Sequence, residues 1–149
     1  LDTCTGLGYT AILSLKGGAK SVVTVEVDSN VLELATYNPW SAELANDRIT
    51  IYNVDVVKYV QYLDDNSFTH IIHDPPRINI TGELYSMDFY RELLRVLKVG
   101  GKLFHYTGKP GKHGGPKYLK GIRDRLKRVG FTYVFWIECA DGFLAIKTA

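Results

Sequence analysis

The chain has 149 residues, of which 46% are hydrophobic and 23% charged, with a net charge of +2. That is about one domain's length, enough to bury roughly 70% of the unfolded surface, which excludes disorder as the main state. No apolar run approaches the roughly 18–20 residues of a membrane span. The two cysteines, Cys4 and Cys139, build neither a disulfide framework nor a metal-ligand spacing, so a reduced, cytoplasmic protein without a metal is expected.

The small net charge hides an asymmetry. Residues 1–97 carry 7 Lys and Arg against 13 Asp and Glu, whereas residues 98–128 carry 10 against the single acid Asp124. Segment 98–128 therefore either attracts a polyanion, nucleic acid included, or places Arg123, Arg125, Lys127 and Arg128 on the wet side of one helix.

In chain order, the first residue is not Met, and Leu1 reads as the last residue or two of a strand whose body precedes it. KSVVTVEV (20–27) predicts a strand, after which Asp28 or Ser29 caps a helix running to about Tyr37. Asn38-Pro39 ends or kinks that helix, because Pro removes a donor and restricts the residue before it. RITIYN (48–53) and FTHIIH (68–73) predict two further strands, the latter stopped by Pro75-Pro76. Residues 86–98 place Phe89, Leu93, Leu94 and Leu97 at helical spacing, and Gly100-Gly101 closes the pattern. A strand over 102–107 follows, then a Gly- and Lys-rich loop, 109–116, and a helix over 117–128 ended by Gly130. Asp141-Gly142 separates two last strands and predicts a closing hairpin at an antiparallel edge. Strands alternating with helices give an α/β fold, an open, doubly wound, mostly parallel sheet.

Ligands of such a sheet sit at the carboxyl ends of the strands. The opening LDTCTGLGYTA places Gly6 and Gly8 between a strand end and a helix start, where backbone can approach a ligand closely and helix N–H groups are free to meet it. Acids follow the strands in a row: Asp2, Glu26, Asp55 and Asp74. A carboxylate at the second position can accept both hydroxyls of a ribose.

The order DxxxGxG, VEVD, a strand followed by NVD, and a strand followed by DPP resembles the class I S-adenosylmethionine-dependent methyltransferases over essentially the whole chain, which would make residues 1–149 one S-adenosylmethionine-binding domain. The resemblance implies that Asp2, with Thr5, Gly6 and Gly8, holds the methionine part of S-adenosyl-L-methionine. Glu26 would bind the ribose, Val27 and Asp28 would lie beside the adenine, and Asp55 with Val54 would meet its amino group. His73 and Asp74 would face the sulfonium and the acceptor, Asp74 orienting the nucleophile and His73 assisting.

HDPPR itself has several resemblances. It is similar to the DPPY-type motif of amino-methyltransferases, with Arg77 in place of the stacking aromatic. It is also similar to the DPPR of RNA uracil-C5 methyltransferases, which need a nucleophilic cysteine that neither Cys4 nor Cys139 supplies. The segment GELYSMDFYRELLRVLKVGGKL, with VEVD, resembles the spermidine synthase-like polyamine aminopropyltransferases, which use decarboxylated S-adenosylmethionine. Their acidic DxxD pattern is half present, Asp74 standing and position 77 being Arg. The expected function is methyl transfer to a nitrogen or oxygen nucleophile, on a small molecule or a nucleic acid. Aminopropyl transfer and a non-catalytic nucleotide-binding module are the alternatives.

Pro75, Arg77 and Tyr85 are candidate substrate contacts, although Tyr85, Phe89 and Tyr90 at a helix start also suit a core. Trp40, after the helix break, is either a lid or a packing anchor. Loop 109–116, with Lys109, Lys112 and His113, follows a strand end and so overlooks the same edge, where it could close on an anionic substrate.

Overall fold

A computed structural model describes residues 1–108 and 115–149. The loop read as basic, with Lys109, Lys112 and His113, lies almost wholly outside the described residues. The chain divides into two compact units, Leu1–Tyr59 and Val60–Ala149.

In the first unit, Gly8 adopts a left-handed φ of 83° and starts helix α1 (Tyr9–Lys16), the Ile12 N–H donating to the Gly8 carbonyl. A side chain at Gly8 is excluded twice, by that φ and by Leu44 carbons 2.4 Å from where its Cβ would stand. Strand β1 (Val22–Glu26) pairs in parallel with β2 (Ile49–Asn53), Glu26 opposite Asn53. Asp2 forms a parallel bridge to Thr24, which sets the chain start alongside β1. Asp28 Oδ1 accepts the Asn30 N–H and caps α2 (Ser29–Tyr37). Pro39 then opens a 3-10 turn over Pro39–Ala45, which the sequence did not disclose. Ala11, Ile12, Val22, Ala35, Leu44 and Ile49 form the unit's apolar core. Trp40 is 81% exposed, so it is no packing anchor. A short helix, α3 (Val56–Tyr59), follows β2.

The second unit is a four-stranded sheet in the order β3 (Phe68–His73), β4 (Leu97–Tyr106), β6 (Gly142–Ile146), β5 (Thr132–Ile137). β3 and β4 are parallel, and β6 is antiparallel to both its neighbours. The closing hairpin is thus present, but its last strand is inserted between β4 and β5, leaving β5 at the edge. Mixed α/β structure with parallel pairs and one antiparallel strand is the architecture expected from the sequence.

Helix α4 (Met87–Val96) is capped by Ser86 Oγ, which accepts the Phe89 N–H, and buries Phe89, Tyr90, Leu93 and Val96. It ends two residues earlier than its spacing predicts, because Leu97 is already the first residue of β4. Gly100 and Gly101 do not close the helix. They lie inside the strand, where Gly100, at φ 78°, donates to the Lys147 carbonyl and Gly101 accepts from the Lys147 N–H. Helix α5 (Gly115–Val129) buries Ile122 and Leu126. Arg123, Lys127 and Arg128 are exposed, but Arg125 is half-buried and departs from the wet-face alternative. No helix of the described residues is long and apolar enough to cross a membrane.

Candidate functional site

The first unit gathers its acids through hydrogen bonds to its own backbone. Asp2 is 1% exposed. Its Oδ2 accepts from Thr10 Oγ1 and Thr24 Oγ1, both at 2.9 Å. Thr24 spends its one hydroxyl proton on Asp2, so the 2.7 Å contact between Thr5 and Thr24 must have Thr5 as donor. Asp2 Oδ1 is buried with no hydrogen-bond partner among the described residues. Burial pushes this carboxyl up to about 6, against hydrogen bonds from Thr10, Thr24 and the Cys4 backbone that hold it down.

Glu26 stands at the end of β1. Its Oε2 accepts the Gly6 N–H at 2.9 Å and its Oε1 the Asp28 N–H at 3.1 Å. Two backbone donors fix the carboxylate and leave further acceptor capacity on each oxygen. Gly6, at φ 52°, presents that N–H from a left-handed turn. Val27, Asp28 and Val54 are exposed, and Asp28 is occupied as the cap of α2. Asp55 lies two residues beyond Asn53, the register partner of Glu26, and its Oδ1 accepts the Val57 N–H at 2.9 Å. Asn53, which sequence reading passed over, donates through Nδ2 to the carbonyls of Glu26 and Val27 and ties the two strand ends together. Asp2, Thr5, Gly6 and Glu26 are therefore joined around one strand end, and Asp55 sits at the next. An orphaned buried carboxylate oxygen beside an acid held open by two N–H donors fits a ligand carrying a cationic group and vicinal hydroxyls. An adenosyl sulfonium has both.

The second unit carries Asp74 directly after β3. Asp74 is half-buried, and desolvation raises its carboxyl above the ordinary range. Pro75 is buried, whereas Pro76 and Arg77 are exposed. Tyr85 is 3% exposed and so is not a substrate stacker. Its hydroxyl donates to the Pro76 carbonyl at 3.0 Å, which Thr81 Oγ1 also reaches at 3.2 Å. Tyr85 holds the turn that carries Asp74.

His73 does not meet its expected role. It is fully buried, Nε2 donates to the Leu84 carbonyl at 2.9 Å, and burial pushes the imidazole down to about 3. Its ring lies 5.3 Å from Phe89 and 4.4 Å from His105, its register partner on β4. A neutral, enclosed imidazole whose Nε2–H is committed to a carbonyl is a core group and cannot shuttle the acceptor's proton.

Sequence reading also missed the neighbours of His73. Tyr90 and His105 Nε2 are 2.8 Å apart, and His105 Nδ1 is 2.9 Å from the Tyr106 carbonyl. A carbonyl only accepts, so Nδ1 carries the proton and Tyr90 donates to Nε2. Arg125 in turn hydrogen-bonds Tyr90. The available signal was position, since His105, like His73, stands near the carboxyl end of a strand.

Comparison with known proteins adds relatives to this geometry. Residues 9–139 match the Spermine/spermidine synthase domain family. The chain is 49% identical over 148 residues to an uncharacterized protein of Methanocaldococcus jannaschii, covering 99% of this chain and 51% of that protein. It is 28% identical over 150 residues to a polyamine aminopropyltransferase of Thermoplasma volcanium, covering 97% and 54%. The chain thus spans about half the length of these relatives. A spermidine synthase structure, in complex with the transition-state analogue AdoDATO, superposes with a TM-score of 0.80 at 22% identity over 98% of this chain and 53% of that one. A Methanococcus maripaludis protein described as an S-adenosyl-L-methionine-dependent methyltransferase superposes with a TM-score of 0.71 at 22% identity, over 99% and 76%. These likenesses establish the Rossmann-like methyltransferase fold.

Proposed function

Because the chain belongs to the spermine/spermidine synthase domain family, we propose that it transfers a group from an adenosyl sulfonium donor, and specifically a methyl group from S-adenosylmethionine to a nitrogen or oxygen nucleophile. S-adenosylmethionine, when bound, supplies a methyl carbon activated by a cationic sulfur. The residues of this chain then have separable tasks. Asp2, Thr5, Gly6 and Gly8 hold the methionine part, and the unpartnered Oδ1 of Asp2 suits a cationic group there. Glu26 takes the ribose hydroxyls, and Val27, Asp28, Val54 and Asp55 border the base. Asp74 orients the nucleophile and receives its proton, a task its desolvated and more basic carboxylate suits.

The observation that favours methyl over aminopropyl transfer is Arg77. A polyamine acceptor is a polycation and calls for paired acids at this strand end. Here the residue three after Asp74 is an exposed guanidinium, which repels such a substrate. Aminopropyl transfer remains the second reading, favoured by the family match and the Thermoplasma relative. A catalytically silent module is disfavoured by Asp74, whose desolvated carboxylate has no structural partner among the described residues. The acceptor is anionic or neutral, a small molecule or a nucleic acid that the basic segment 98–128 attracts.

Titration calorimetry with S-adenosylmethionine and its decarboxylated form discriminates the readings. Tighter binding of the carboxylated donor supports methyl transfer. Tighter binding of the decarboxylated donor supports aminopropyl transfer and overturns the proposal, as does binding of neither.

A further inference from the structure

We propose that Arg125 recognises an oxyanion, a carboxylate or phosphate group carried by the acceptor. Tyr118, Ile122 and Arg125 lie on one face of α5, and Ile122 on that face is fully buried. The guanidinium folds back over Gly121, where an added Cβ would come within 3.3 Å of Nη1. One of its donors reaches the Tyr90 hydroxyl. Its Nε is buried and has no hydrogen-bond partner among the described residues.

No counter-charge is supplied by the described residues of the unit. Arg125 makes no ion pair among the described residues, and the only acid of α5, Asp124, is taken by Lys120 at 2.6 Å. His105, next in the chain Arg125–Tyr90–His105, is kept neutral by burial, so the guanidinium holds the cluster's charge alone. A half-buried cation with an orphaned donor carries a desolvation cost that a bound anion removes. The Nε–H edge with its neighbouring Nη offers the parallel pair of donors that a carboxylate or phosphate accepts.

The position suits an acceptor. His105 pairs in register with His73, the residue before Asp74. Tyr85, which holds the Pro76 carbonyl, has its ring 5.3 Å from that of His105. The anion would bind at the carboxyl ends of β3 and β4, on the rim that carries Asp74. That the anion belongs to the acceptor rests on the methyl-transfer reading. Anion binding itself does not, and it is measured without any donor.

The test follows the Arg125 Nε–Hε resonance in the full chain by proton–nitrogen NMR, titrating inorganic phosphate and, separately, acetate against chloride at matched ionic strength. A saturable shift with phosphate, acetate or both is expected, phosphate alone indicating a phosphorylated acceptor and acetate alone a carboxylic one. Arg125→Gln should weaken the affinity read from neighbouring amides roughly tenfold or more, whereas Lys127→Gln, exposed on the same helix, should leave it unchanged. A shift that only tracks ionic strength, or equal losses in the two variants, overturns the proposal. Should Arg125→Gln fail to fold, the wild-type Nε titration decides alone. Anion binding without methyl transfer would overturn only the methyl-transfer reading.

Discussion

The Gly6 N–H and Glu26 Oε2, 2.9 Å apart, couple the glycine turn to the end of β1 across twenty residues. One carboxylate thereby sets the loop's conformation while keeping acceptor capacity for a ligand. Under the proposed function, loop shape and donor binding share this single residue, and changes at Glu26 or in the glycine turn should report on both.

Gly8→Ala should be strongly destabilising. The substitution strains a residue at φ 83° and drives a methyl group into Leu44. The expected loss is roughly 2 kcal/mol or more, read as a lower urea midpoint. Gly18 also has a positive φ but open space around it, and Gly18→Ala should cost less, through backbone strain alone. Equal effects would contradict the packing at Leu44.

Asp2 makes unliganded stability depend on pH. Its folded carboxyl titrates near 6 against an ordinary value of 3.8, so the fold favours the protonated form. That stabilisation is complete below about pH 4 and is lost as pH rises through about 6, amounting to about 3 kcal/mol. Chemical denaturation between pH 4 and 7 should show this fall in the wild type and a flatter profile in Asp2→Asn. A wild-type stability that rises over the same window by this group's titration would reverse the assignment.

Most of the fold was legible because β-branched runs and breakers coincide. FTHIIH before Pro75-Pro76 is a strand with the same limits in sequence and structure, and of the two expected cap candidates, Asp28 and Ser29, Asp28 caps α2. The acids at successive strand ends were legible for the same reason, since strand ends fix where such residues can stand. The failures are tertiary. Gly100-Gly101 read as a helix stop because nothing local reveals that the Lys147 backbone pairs with both glycines. The wet-face alternative for the basic segment took in Arg125 because a charge at helical spacing normally faces water, and its hydrogen bond to Tyr90, on another helix, has no local signal. His73 read as a helper because burial under Phe89 and beside His105 depends on elements far along the chain.

Tyr85→Phe should loosen the turn carrying Asp74. It removes the donor to the Pro76 carbonyl but leaves the Thr81 hydroxyl in place, so a cost of about 1 kcal/mol is expected. Hydrogen exchange at Ile80 and Thr81, whose amides donate to the Arg77 carbonyl, should quicken. Unchanged exchange and unchanged stability would remove Tyr85 from this role.

Asp74→Asn should leave S-adenosylmethionine affinity within about twofold while abolishing methyl transfer, because the amide keeps the shape but cannot take a proton. Mass detection of methylated product, alongside calorimetry, separates the two effects. Normal turnover in this variant would return Asp74 to a structural role.

The most direct test of the donor site is calorimetric titration of S-adenosylmethionine into the wild type and Glu26→Ala. If Glu26 takes the ribose hydroxyls as proposed, removing the carboxylate strips the ribose of its acceptor and the Gly6 and Asp28 N–H groups of theirs, so affinity should fall by about 1–3 kcal/mol, roughly ten- to a hundredfold. Equal affinity in the two proteins would contradict the placement of the donor at the end of β1.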